Sequence, residues 1–215
     1  MLGPDTVSFL TDLAANNNRD WFKGNEARYK QDFKLAADVF GQGLAAELGE
    51  ATNTDLTYKV FRIHRDVRFS KDKTPYNTHL RVFAAVPGAA PDYPKWMAGL
   101  EQDRLVVGVG SFGFAKETLV RYRDMIDGAG GDELAEILSA QMAGGVRLGA
   151  PDLKRVPKPY DADHRHGDLL RCKGLTAWID HKDHAIALGD NGPQQVAASL
   201  LNLRPIYNWL AALTA

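Results

Sequence analysis

The sequence has little cysteine, no long apolar run and almost no net charge, and each shortage excludes a class of protein. A single cysteine, Cys172, rules out an internal disulfide and fits a reducing compartment. No stretch approaches the roughly 18 consecutive apolar residues of a membrane span. The formal net charge of −1 argues against a general polyanion binder. The N-terminus lacks the pattern of a signal peptide, so we expect a cytoplasmic protein with no membrane partner.

The composition is that of an ordinary globular protein, with 45% hydrophobic and 25% charged residues. A chain of 215 residues suits one large domain with a real core. We find no repeat and no convincing linker in it. We therefore predict a single domain over residues 1–215.

Apolar periodicity predicts helices in the first third of the chain. A stripe that includes Leu10 and Leu13 is followed by the segment NNNRDWF, which breaks the helix and restarts it. Asn17 or Asn18 is suited to cap the restart, because a short side-chain oxygen satisfies the free N–H groups there. A longer amphipathic helix follows, with apolar residues at three- and four-residue spacing. Its stripe is Tyr29, Phe33, Ala37, Phe40, Leu44 and Leu48.

From Leu56 the apolar period changes to two, which predicts a half-buried strand that reaches Phe69. A second strand is expected in THLRVFAAV, and a hairpin with its turn at 102–104 in WMAGLEQDRLVVGVGSF. These connections are too short for parallel crossovers. Further helices are predicted near 116–126, near 132–142 and from about Pro193, with a strand near 175–180. The predicted fold class is α+β, a largely antiparallel sheet flanked by helices.

Positive charge is concentrated between Lys59 and Arg81, a segment that contains seven Lys or Arg residues and two Asp residues. This segment carries +5, so the rest of the chain carries −6. Strand alternation would place Arg62, His64 and Arg68 on one face, with roughly 6–7 Å between alternate residues. Like charges at that spacing repel one another unless an anion or a carboxylate lies among them.

This pattern predicts a pocket for a small anion that carries a phosphate or a carboxylate. Arg62, Arg65 and Arg68 would clamp the anion, and Asp66 would orient one guanidinium group. Lys73 would add a point charge, and Tyr76 would add a hydrogen bond or a stacking face. Arg65 falls on the apolar side of the strand, where a buried arginine needs a paired acid or a bound anion. The predicted ligand-binding residues are Arg62, Arg65, Asp66, Arg68, Lys73 and Tyr76.

Two other interpretations of the basic segment stay open. A basic strand near Tyr76 and Trp96 is also compatible with a nucleic-acid-binding module, although the pI of about 6.6 argues against it. Alternatively the arginines are purely structural, in an ion-pair network with Asp66 and with acids from the helices. The pattern does not distinguish a binding protein from an enzyme, although His64 or His79 beside the arginines is suited to acid–base work. It gives no indication of the oligomeric state.

Three further motifs are weaker candidates. Residues 154–173 form a second basic segment, whose candidate site residues are Lys154, Lys158 and His164. DADHRHGD and HKDH contain metal-ligand residue types without a recognised spacing, so we assign no metal and no cofactor. GVGSFG (108–113) fits the glycine pattern of dinucleotide-binding loops but lies on a hairpin arm, where glycines usually admit a neighbouring side chain. If this motif binds a ligand, the pattern favours a simple anion site at the start of the following helix over a dinucleotide site.

The basic segment also carries a resemblance to a known family. RIHRDVRF followed by KDKTPY resembles the signature RxxRDxRF…KxxY of a widespread bacterial family, number 2461 among the domains of unknown function. NNNRDWF, LKRVPKPYDADH and PIYNWL resemble other segments of that family, so the resemblance covers nearly the whole chain. Pro159 and Arg165 replace a glycine and a proline that are usual there. The resemblance implies no activity, because none is established for the family.

Overall fold

One antiparallel sheet with helices around it confirms the α+β fold class. A computed structural model of the chain describes residues 1–214. The sheet has six strands in the order β1-β2-β3-β4-β6-β5. The strands are β1 Thr57–Val60, β2 Leu80–Ala85, β3 Lys95–Leu100, β4 Leu105–Ser111, β5 Arg147–Leu148 and β6 Leu175–His181.

The helices lie before, between and after the strands. Before β1 they are α1 Pro4–Ala15, α2 Arg19–Gly24, α3 Glu26–Arg28, a π-helical stretch Tyr29–Leu35, and α4 Ala36–Thr52. Between β4 and β6 they are α5 Lys116–Asp127, α6 Ala129–Ala143 and α7 Gly167–Leu170. After β6 come a 3₁₀ turn at Ala185–Ala187, α8 Gly192–Leu201 and α9 Arg204–Thr214. Within residues 1–214, no helix is long and apolar enough to cross a membrane.

Contacts group the chain into two compact units. Unit one comprises residues 1–87, 97–107 and 180–199, and unit two comprises residues 88–96, 108–179 and 200–214. The prediction of a single domain stays a prediction.

The core of unit one confirms the helices expected from apolar periodicity. Phe9, Leu10 and Leu13 of α1 are fully buried. Of the two residues predicted to cap α2, Asn18 does so, because its side chain accepts a hydrogen bond from the Trp21 N–H at 2.9 Å. The apolar stripe of the long helix faces the core as predicted. Its buried residues are Phe33, Ala37, Phe40, Leu44 and Leu48.

The prediction of one strand from Leu56 to Phe69 is wrong, because β1 ends at Val60. Beyond it the Arg65 N–H still donates to the Pro75 carbonyl at 2.8 Å, but proline has no N–H to return. Pairing therefore does not continue past Arg65, and Phe69 is 97% exposed instead of facing the core. Apolar and charged residues alternate from Leu56 to Phe69 as they do in a strand, but the second half of this segment has no partner strand within residues 1–214.

In unit two, helices α5, α6 and α9 pack together. Tyr122 and Leu210 are fully buried there, and the Trp96 and Tyr207 rings stack with centroids 4.3 Å apart. Strand β5 was not predicted, since two residues give no periodic signal. The helix predicted from about Pro193 is α8, and a separate helix, α9, follows it.

The glycines of GVGSFG allow strand β4 to lie close to β6. A Cβ at Gly108 would collide with the Trp178 ring, so this glycine admits a neighbouring side chain, as expected for a hairpin arm. Gly110 has a φ of +135°, and a Cβ there would collide with the carbonyl oxygen of Leu175. By contrast, a Cβ at Gly113 would meet no atom within 4 Å.

We predict that Gly110→Ala lowers the free energy of unfolding by roughly 2–4 kcal/mol, because it adds both a backbone strain and a backbone clash. Gly113→Ala, from the same motif, should change it by less than about 0.5 kcal/mol. Urea denaturation of the two variants and the wild type measures both values. Equal stabilities of the two variants would contradict the prediction.

Candidate functional site

Residues 61–79, which join β1 to β2, form an irregular segment that we call the basic loop. Hydrogen bonds across its base hold the two ends together. The Phe61 N–H donates to the Arg81 carbonyl at 2.9 Å, and the Asn77 N–H donates to the Ile63 carbonyl at 2.7 Å. Ile63 is only 1% exposed and so anchors the loop in the core. The base of the loop is therefore fixed, although it is not regular strand.

The NNNRDWF segment supports this base from the side. The Asn17 side chain donates to the Tyr76 carbonyl at 2.9 Å and accepts from the Tyr76 N–H at 3.1 Å. The rings of Phe22 and Tyr76 stack with centroids 4.1 Å apart, and the His64 ring packs edge-on against both. Tyr76, predicted to contact a ligand, is only 6% exposed and belongs to this buried cluster.

Arg65 forms an ion pair within the loop. Its Nη1 lies 2.6 Å from Asp72 Oδ2 and donates to both the carbonyl and the hydroxyl oxygen of Thr74. Hydrogen bonds from Thr74 and the Arg65 guanidinium lower the pKa of Asp72 to about 2. The Arg65 side chain is 25% exposed and has the paired acid that the sequence pattern requires of a buried arginine, and that acid lies nearby in the sequence.

Asp66 and Arg68 form a second pair. The Arg68 guanidinium donates from Nε at 2.9 Å and from Nη2 at 2.6 Å to the Asp66 carboxylate, which also accepts from the Arg68 N–H at 3.2 Å. These bonds, with a smaller effect of the Arg62 charge, lower the pKa of Asp66. Asp66 does orient one guanidinium, and it is that of Arg68.

The tip of the loop is held by Lys73. Its Nζ donates to the carbonyl of Val67 at 3.0 Å and lies 3.5 Å from that of Arg68. The ammonium group is thus used to bind the loop backbone. The exposed Phe69 ring lies beside the Arg68 guanidinium, which is 5.9 Å from the ring centroid.

A recess of about 340 Å³ opens at the base of the loop. Three of the predicted residues line it, namely Arg62, Arg65 and Asp66. The other three, Arg68, Lys73 and Tyr76, do not. Its other lining residues are Phe61, His64, Asn77, His79 and Arg81.

His79 and Arg81 were not among the predicted site residues, although a signal for them exists. His79 precedes β2 and Arg81 is the second residue of that strand. Alternation along the strand turns both away from the buried face that Leu80 and Val82 form. Pairing of β1 with β2 then brings them beside Arg62 and Arg65. His64 and His79 had been suggested only as acid–base groups.

The recess has an excess of positive charge. Among residues 1–214, no carboxylate forms an ion pair with Arg62 or Arg81, in contrast to Arg65 and Arg68. Burial lowers the pKa of His79, the charges of Arg81 and Arg65 lower it further, and Glu101 opposes them. His79 therefore experiences a net positive field.

The second basic segment lies in unit two. Lys154 and His164 line a separate recess there, whereas Lys158 is not among its lining residues. His164 Nε2 lies 3.3 Å from Asp127 Oδ1, so the histidine already has a carboxylate partner.

Other candidates from the sequence have structural explanations. The anion site expected at the start of α5 is wrong, because the Asp92 carboxylate occupies that position and accepts from the Ala115 N–H at 2.8 Å. The Cys172 thiol is buried and donates to the Asp168 carbonyl at 3.4 Å. Burial and the nearby Asp152 raise its pKa to about 11. In the part of the chain that the structure describes, no group of three His, Cys, Asp or Glu side chains is placed to hold a metal.

Comparison with known proteins identifies a family. The family model described as conserved hypothetical protein (DUF2461) matches residues 5–209. No curated protein matches the chain.

We predict that Asn17→Ala destabilises the protein by about 1–3 kcal/mol, because it leaves the Tyr76 N–H and carbonyl without their partner. Asn16→Ala is the matched control. The Asn16 side chain makes one exposed hydrogen bond, to the Asp12 carbonyl at 2.9 Å, so the change should cost less than about 0.5 kcal/mol. Chemical denaturation measures both, and an equal cost at the two positions would contradict the anchoring role of Asn17.

Proposed function

The chain belongs to the DUF2461 family of conserved hypothetical proteins, and we propose that it binds a small phosphate- or carboxylate-bearing anion in the recess at the base of the basic loop. The guanidinium groups of Arg62 and Arg81 would hold the anion. His79 would donate a hydrogen bond to it from the third side.

One observation carries this proposal: two guanidinium groups that form no ion pair within residues 1–214 lie at one recess. Arg65 and Arg68 each have an aspartate, so a structural network accounts for them. Arg62 and Arg81 line the recess and form no ion pair within residues 1–214, and the one carboxylate at the recess, Asp66, is bound by Arg68. A planar guanidinium fork matches the oxygens of phosphate or carboxylate, and a bound anion would remove the repulsion between the two charges.

His79 adds a proton-binding group to the proposed site. Its lowered pKa means that the imidazole is neutral at pH 7, the form that accepts a proton. An anion beside it would favour the imidazolium form and so raise its pKa. Binding and proton uptake are thus expected to be linked.

The size of the recess supports a small ligand over a nucleic-acid strand. A volume of about 340 Å³ lies at the lower end of the range for small-molecule sites. Tyr76 and Trp96, the aromatic residues expected to stack on bases, are 6% and 0% exposed. Phe69 is the exposed aromatic residue of the loop, so oligonucleotides belong in the test.

We predict that sulfate, phosphate or citrate raises the melting temperature of the wild type, because a ligand of the folded state stabilises it. Arg62→Gln and Arg81→Gln should each weaken binding about tenfold or more, since each removes a charge-assisted hydrogen bond. Lys71→Gln removes an exposed charge from the same loop outside the recess and should bind as the wild type does.

Differential scanning fluorimetry with titrated ligand provides these affinities. The proposal fails if no anion stabilises the wild type, or if Lys71→Gln weakens binding as much as Arg81→Gln. If only an oligonucleotide stabilises the wild type, and salt abolishes the effect, the nucleic-acid interpretation replaces it.

We also predict a pH dependence that originates in His79. Because its folded-state pKa lies below the unfolded value of about 6.5, its contribution to stability is complete above that pH and is lost as the pH falls below it. The affinity for sulfate, which does not itself titrate in this range, should rise as the pH falls from about 8 to about 5.5. His79→Gln should flatten this rise, whereas His64→Gln should retain most of it. An affinity that is independent of pH in the wild type would exclude this role.

A further inference from the structure

Unit two contains a larger recess, of about 940 Å³, between one face of α6 and residues 154–171. The α6 face contributes mainly apolar side chains, whereas residues 154–171 contribute both charged and apolar side chains. The apolar side chains are Ala135, Leu138, Met142, Leu148, Val156 and Leu169.

The α6 wall arises from helical spacing. Ala135, Leu138 and Met142 lie three and four residues apart and therefore share one face of the helix. Leu138 is 4% exposed and closes the floor, whereas Met142 is 53% exposed at the rim. Methionine is a flexible apolar side chain that adapts to varied partners.

The opposite wall has two cations without acidic partners. Arg165 lies 2.7 Å from Asp132, and Arg171 lies 2.5 Å from Asp168, so both are neutralised. Lys154 and Arg155 have no ion pair within residues 1–214. Both line the recess, and Asp163 is the one carboxylate besides Asp168 among the lining residues.

Hydrogen bonds keep this wall in place. His166 Nε2 lies 2.8 Å from Asp132 Oδ1, and the His166 N–H donates to His164 Nδ1 at 3.0 Å. The Leu153 N–H donates to the Arg171 carbonyl at 3.0 Å, which joins the two ends of the segment. The recess is therefore pre-formed, which reduces the entropic cost of binding.

We propose that this recess binds an amphiphilic anion, a carboxylate on a linear acyl chain. The chain would lie along α6 from Leu138 to Met142, and the carboxylate would meet Lys154 and Arg155. The volume lies within the range of small-molecule sites, and an apolar helix face together with two cations that form no ion pair within residues 1–214 suits a ligand with one apolar part and one anionic end. This proposal concerns unit two and is independent of the anion site proposed in unit one.

The test is isothermal titration calorimetry of the full chain with octanoate, decanoate and dodecanoate below their micelle concentrations. Acetate and decanol serve as probes that lack the chain or the charge. Affinity should rise by up to about fourfold for each added CH₂ group, as expected for burial of the chain. Acetate and decanol should bind at least about tenfold more weakly than decanoate, since each lacks one of the two contacts.

Variants locate the ligand. Met142→Glu and Arg155→Glu should each weaken decanoate binding about tenfold or more, because they place a negative charge beside the chain or the carboxylate. Val120→Glu changes a side chain that is 54% exposed on α5 outside the recess, and Lys158→Glu changes a lysine of the same loop that does not line it. The decanoate affinity of these two controls should lie within about twofold of that of the wild type. The melting temperature of Met142→Glu without ligand should equal that of the wild type.

The proposal is overturned if the wild type does not bind decanoate, or if affinity is independent of chain length. It is also overturned if all four variants bind equally, or if decanoate lowers every melting temperature by the same amount, as a detergent acting on unfolded chain would.

Discussion

The pairing of the Asn17 side chain with the main chain of Tyr76 is the interaction on which the candidate site depends. The basic loop has almost no ladder of its own, so its shape must come from contacts with other segments. Asn17 satisfies both backbone groups of Tyr76, and Phe22 stacks on its ring. These contacts fix Tyr76, which lies opposite His64, and therefore fix the base of the recess. Polar groups that are half-buried in this way define a geometry as well as stabilise it.

The charges of the basic loop divide into two groups with different consequences. Arg65 and Arg68 are bound by aspartates a few residues away, and Lys73 is bound by backbone carbonyls. These three cations shape the loop. Arg62 and Arg81 have no such partners in residues 1–214, and they lie together at the recess. A positively charged segment can thus contain both a structural network and a candidate site, and the nearby carboxylates distinguish one from the other.

The sequence predicted the fold class, the long amphipathic helix and the β3–β4 hairpin, because long periodic segments report which face is buried. It failed for the strand to Phe69, since the same alternation arises in a loop whose partner segment contains Pro75. Three of the six predicted loop residues lie at the recess. His79 and Arg81 escaped the prediction because only the pairing of β1 with β2, a contact between distant positions, places them beside Arg62. The burial of Tyr76 depends on Asn17 and Phe22, more than 50 positions away, and no local pattern contains that information.

The buried state of Cys172 has a practical consequence. It is the only cysteine in the chain, and with a pKa of about 11 roughly one thiol in ten thousand is ionised at pH 7. Because the thiolate is the form that reacts with maleimides, the native residue is almost inert to them. A cysteine introduced at an exposed position such as Lys71 would therefore accept a fluorophore selectively, with the native cysteine left in place. Fluorescence could then report movements of the basic loop in the otherwise unaltered protein.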